Sequence, residues 1–112
     1  MVRNIVFYEE HFSEFYDSQS EKVQEKIDYV LNLIAYVERV PEKFLKHLEG
    51  TEGLYEIRVK FSSDIFRFFC FFDEEKLVIV LHGFQKKTQK TPKNEIKKAE
   101  VLKQKYLTEK EA

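Results

Sequence analysis

Cysteine occurs once in this 112-residue sequence, at Cys70 inside an aromatic run. A single thiol forms no internal disulfide and supplies no cysteine cluster for zinc, so a plain buried thiol is expected. Glycine and proline are scarce, at three and two, whereas Phe and Tyr number eleven and six. That balance, with 43% hydrophobic residues, excludes a disordered or low-complexity chain. Long apolar runs are missing too: none exceeds the five residues of Phe68 to Phe72 or Leu77 to Leu81, against about 20 for a membrane-spanning helix. The stretch before Glu9, Glu10 and His11 has neither the length nor the cleavage site of a secretory signal. The expectation is one cytoplasmic domain over residues 1–112, away from any membrane, with its own core and a charged surface.

Catalytic signatures are equally scarce. The three glycines are isolated, so there is no phosphate-binding glycine loop, and neither Gly-x-Ser-x-Gly nor His-Glu-x-x-His occurs. No acidic pair stands at a strand end to hold magnesium, and His11 and His47 fall on expected helices without carboxylate or cysteine neighbours at ligand spacing. Any catalysis therefore relies on Arg, Lys, His or Tyr, with no metal and no cofactor. RNA cleavage fits that restriction, because the substrate brings its own nucleophile, the 2′-hydroxyl. A cationic site then has only to align the phosphate, stabilise the added charge and move two protons. A lysine crowded by other cations has a lowered pKa and can serve as base.

What is present is charge of two signs, unevenly placed. Residues 1–53 carry six basic and eleven acidic side chains, a net of −5, and residues 54–112 carry thirteen and nine, a net of +4. Eight lysines lie between His82 and Lys105 against Glu95 and Glu100 alone. An anionic partner for the carboxyl-terminal part follows, with Lys90, Lys93 and Lys97 among the contacts.

Arg3 to Tyr8 reads as a short strand and Glu10 to Asp17 as a helix with Phe12, Phe15 and Tyr16 inward. Ser18-Gln19-Ser20-Glu21 has the form of a capping box. Val23, Ile27, Val30, Leu31, Ile34 and Val37 mark a second helix, ended by Pro41, and Glu42 to Glu49 reads as a further short helix closed by Gly50. From Gly53 the period becomes two, with Tyr55, Ile57, Val59 and Phe61 opposite Glu56, Arg58 and Lys60. Ile65 to Phe72 and Leu77 to Phe84 follow across short turns, giving an antiparallel meander. Thr91-Pro92 opens a last helix, Thr91 as the capping hydroxyl, with Ile96, Ala99, Leu102 and Tyr106 buried. The class is α+β, in the order β-α-α-(short α)-β-β-β-α, with helices packed on a mainly antiparallel sheet.

Charged residues inside apolar strands carry the functional signal, since an unpaired buried charge costs several kcal/mol or so. Arg67 is the clearest: it either pairs with an internal carboxylate such as Glu56 or lines a site open to an anion. Arg58 can reach the same anion or form a solvated salt bridge. His82 ends a strand before a lysine loop and a helix amino terminus, a place that collects anions; taken alone, such a histidine is more often structural than catalytic. Phe84 either offers a face for base stacking or belongs to the core.

Gly53-Leu54-Tyr55-Glu56-Ile57-Arg58, Arg67 in its aromatic strand, and Leu81-His82-Gly83-Phe84-Gln85-Lys86-Lys87-Thr88-Gln89-Lys90-Thr91-Pro92 resemble the phage-derived HigB-like branch of the RelE/ParE toxin superfamily, over nearly the whole chain. The resemblance implies a small sheet-and-helix fold, ribosome-dependent endonucleolytic cleavage of messenger RNA, and neutralisation by an antitoxin that often carries a helix-turn-helix DNA-binding domain. Carried over by residue, it implies an RNA site of Arg58, Arg67, Lys86, Lys87 and Lys90, with His82 as a further catalytic candidate. Where many relatives have a tyrosine in the strand after the arginine, this chain has Phe68, Phe69, Cys70, Phe71 and Phe72, so no phenol comes from that strand. The alternative within the superfamily is a non-catalytic toxin that binds a protein, as the ParE branch binds DNA gyrase, or a degenerate phage protein that only binds its antitoxin. The acidic first helices, with Glu14, Glu21 and Glu25, are the expected antitoxin surface.

Overall fold

Three long strands form the centre of the molecule, two of them apolar on both faces and one amphipathic. In the computed structural model, which describes residues 1–112, β3 (Leu54–Phe61), β4 (Asp64–Glu74) and β5 (Leu77–Lys86) make the expected antiparallel meander. β1 (Asn4–Phe7) pairs in parallel with β5 and β2 (Leu45–His47) antiparallel with β3, so the five-stranded sheet has the order β1-β5-β4-β3-β2. Helices α1 (His11–Asp17) and α2 (Glu21–Tyr36) pack on one face and α3 (Lys93–Glu111) on the other. The class is α+β.

Each face has its own core. Ile57, Val59, Phe66, Phe68, Cys70, Val78 and Val80 meet Phe12 of α1 and Val23, Ile27, Val30 and Ile34 of α2. Leu54, Phe69, Phe71, Ile79, Leu81 and Phe84 meet Ala99 and Leu102 of α3. Phe66, Phe68 and Phe69 are fully buried, each worth about 1.5–3 kcal/mol in area removed from water. Cys70 is a buried free thiol, and burial pushes its pKa far up. Gly83 is required by packing: a Cβ there would lie 2.3 Å from the Phe68 ring.

Five local expectations are corrected. Residues 42–49 form no helix: a single turn over Pro41, closed by the Phe44 and Leu45 amides on the Pro41 carbonyl, leads into β2, whose backbone satisfies the edge of β3. His47 is therefore on a strand. α2 stops at Tyr36, before Pro41, because Arg3 reaches across and donates to the carbonyls of Ile34, Val37 and Glu38. Ser20, not Ser18, caps α2, accepting from the Val23 amide at 3.3 Å, and Glu21 is already in the helix. Pro92 holds the cap position of α3, and the Thr91 hydroxyl turns instead to Glu56. His11, expected without a carboxylate neighbour, has Glu9 at 3.1 Å.

Candidate functional site

The register of the meander sets Arg58 of β3 directly opposite Arg67 of β4. Like charges in such a cross-strand pair repel, so the arrangement needs a counter-charge. Glu56, two residues before Arg58 and hence on the same face, supplies it: its carboxylate is 4% exposed and lies 3.7 Å from both guanidinium groups. The expected internal carboxylate of Arg67 is Glu56. Arg67 lines a cavity of about 350 Å³ together with Lys26, Lys43, Phe44, Arg58 and Lys60. Five cations and no carboxylate face that space. One carboxylate shared by two guanidiniums leaves them short of acceptors, and the Nε atoms of both Arg58 and Arg67 are buried without a hydrogen-bond partner. Burial first, then Arg58, holds the Arg67 guanidinium below its ordinary pKa, with Glu56 opposing.

A bulge in β5 brings a third cation to this face. Phe69 pairs with His82 and Cys70 with Val80, which leaves Leu81 as an extra residue and reverses the alternation beyond it. His82, Phe84 and Lys86 consequently share the face of Arg67, with Lys86 diagonal to it across the Ile65 pair. Lys86 is half-buried, and its pKa is lowered by burial and by Arg67 and Arg58, against the pull of Glu56. Beside it, Lys86 and Lys87 border an open cavity of about 650 Å³ with Gln85, Thr88 and Gln89. The Thr91 hydroxyl donates to Glu56 at 3.1 Å and ties the far end of this loop to the arginine pair.

Arg58, Arg67 and Lys86 thus converge, and Lys87 stands at the rim. Lys90 is exposed in the loop, and Lys93 and Lys97 are exposed on α3. His82 and Phe84 point inward. His82 is 3% exposed, its Nε2 3.1 Å from Glu95 Oε1, and its ring packs on Phe69. Burial lowers its pKa, Glu95 opposing. Phe84 packs against Phe69 and His82 in the α3 core and presents no open ring face. Sequence reasoning missed Lys26 and Lys43, which come from the acidic half of the chain, and the anchoring role of Thr91. Lys60 was legible, lying two residues beyond Arg58 in an alternating strand. No group of three or more His, Cys, Asp or Glu stands close enough to hold a metal ion, and no helix is long and apolar enough to cross a membrane.

A family model described as Phage derived protein Gp49-like (DUF891) matches residues 14–104. The chain belongs to the phage-derived Gp49-like family. The match takes in the whole Arg58, Arg67 and Lys86 cluster, the Lys87–Thr91 loop and most of α3. Among solved structures, this Gp49-like protein is similar to a chain of the archaeal RelE–RelB complex from Pyrococcus horikoshii OT3, with a TM-score of 0.52 and 17% identity over 74% of this chain and 93% of that one. The fold is that of RelE. No curated protein matches the sequence.

Proposed function

We propose that this Gp49-like protein is the toxin of a toxin–antitoxin pair, a single domain over residues 1–112 that cleaves messenger RNA on the ribosome. The observation that carries the reading is the opposed Arg58–Arg67 pair, which shares one buried carboxylate and lines a cavity faced by five cations. Donors held in place before substrate arrives, in a partly desolvated site, are what a phosphorane transition state requires. Lys86, its pKa lowered by burial and two guanidiniums, takes the proton from the 2′-hydroxyl. The 2′-oxygen then attacks phosphorus and the bond to the 5′-oxygen breaks. Lys87, exposed at the rim, returns a proton to the leaving oxygen, and the products are a 2′,3′-cyclic phosphate and a 5′-hydroxyl. His82 acts at one remove, fixing the start of α3 through Glu95. Lys90, Lys93 and Lys97 extend the electrostatic footprint toward the ribosome.

RelE-type folding and phage-derived family membership support an antitoxin as the protein partner; in this reading the antitoxin carries a helix-turn-helix DNA-binding domain and the toxin acts in the cytoplasm. The test is primer extension on a reporter message in a translating extract. Wild type should cut within codons, and both Arg67→Ala and Lys86→Ala/Lys87→Ala, folded by circular dichroism, should not. Growth arrest by the wild type without any cut would favour a non-catalytic, protein-binding toxin.

A further inference from the structure

The cavity beside Arg67 does not end at the sheet. Beyond β2 the last residues of β3 are paired only with β4, and the space opens around their free edge toward α2, where Lys26 forms a wall common to it and to a second cavity of about 330 Å³. Lys22, Tyr29 and Phe61 line that second space with Glu25. At the junction Tyr29 is 52% exposed and meets Phe44 edge to face, at 6.3 Å between centroids. The Lys26 ammonium lies 5.1 Å from the Tyr29 ring and Lys43 5.5 Å from the Phe44 ring. An exposed tyrosine backed by a half-buried phenylalanine and flanked by ammonium groups, continuous with a cationic cavity, combines the two elements that single-stranded nucleic acids engage: stacking surface and phosphate charge.

We infer that the RNA track continues around the β3 edge onto α2, where Tyr29, supported by Phe44, stacks a base flanking the scissile phosphate while Lys26 and Lys43 hold its backbone. The inference rests on the nuclease reading of the Arg58–Arg67 site but concerns residues outside that chemistry. When the base arrives the two ammonium groups leave the rings for phosphate oxygens, a short swing on flexible stems.

Fluorescence anisotropy with a labelled single-stranded RNA octamer, 2′-O-methylated so that it is not cut, tests this. Tyr29→Leu should weaken binding about tenfold, within the range for loss of one stacked base, with an unchanged salt slope, and Tyr29→Phe should bind as wild type does. Lys26→Ala/Lys43→Ala should flatten the slope of log K against log salt by about 1.4, two phosphate contacts on a single strand. Tyr29 and Lys43 are exposed and Lys26 half-buried, and equal melting temperatures of all variants, Arg67→Ala included, would exclude misfolding. Wild-type affinity in Tyr29→Leu, with Arg67→Ala still weakened, would overturn the platform and leave the nuclease reading standing. Loss of affinity in none of these variants, Arg67→Ala included, would overturn both.

Discussion

Glu56 sits where its removal has opposite effects on stability and on anion binding. Its carboxylate, 4% exposed, holds two guanidiniums and the Thr91 hydroxyl. Glu56→Gln should lower unfolding free energy by about 3 kcal/mol, the scale for leaving buried charge uncompensated, measured by urea titration. Inorganic phosphate should restore more stability to this variant than to wild type, because the anion replaces the missing charge. Lys86→Arg keeps the cation and removes the proposed base. Single-turnover cleavage on programmed ribosomes should fall by about a hundredfold or more, with RNA affinity nearly unchanged. His82, whose pKa burial lowers, sets a pH dependence of stability. The unfolded chain binds its proton more readily than the folded one, so stability is full above about pH 6.5 and declines as pH falls toward the folded-state value. In His82→Gln that part of the acid limb should disappear. The arginines, Lys86 and the internal Glu56 were legible because charge in an apolar or alternating strand is anomalous. Lys26 and Lys43 were not: each is an ordinary surface lysine until tertiary folding carries it to the β3 edge.

At the level of elements, the meander and α3 could be read directly because period two and period three-to-four patterns are local properties. The turn before β2 could not, since Phe44, Leu45 and Leu48 suit one face of a short helix equally well, and the choice falls to the unpaired edge of β3. The end of α2 was hidden for a similar reason, its carbonyls being capped by Arg3 from more than thirty residues away. Most consequential is the Leu81 bulge, which alternation alone does not reveal and which puts Lys86 on the same face as Arg67. Gly83, on the opposite face just beyond it, packs against the Phe68 ring. Gly83→Ala should cost about 1–3 kcal/mol by overpacking, seen as a lower denaturation midpoint at unchanged slope, because Phe68 is fully buried and has nowhere to move.

Across the whole molecule the division into an acidic and a basic half is a property of the chain more than of the surface. Folding wraps Lys26 and Lys43 from the acidic half around Arg58, Lys60 and Arg67 from the basic half, while Glu9 and Asp73 are occupied by Lys105 and Lys110 of α3. The cationic face therefore spans both sequence halves, with Glu14, Glu21 and Glu25 left exposed on the first two helices as the expected antitoxin surface. The central claim is a cut made by the substrate's own 2′-hydroxyl. Fragments of a message cleaved on purified, programmed ribosomes should carry a 5′-hydroxyl, labelled by polynucleotide kinase without phosphatase treatment, and a 2′,3′-cyclic phosphate on the upstream piece. Fragments bearing 5′-phosphates, or intact message from ribosomes fully loaded with the protein, would contradict it.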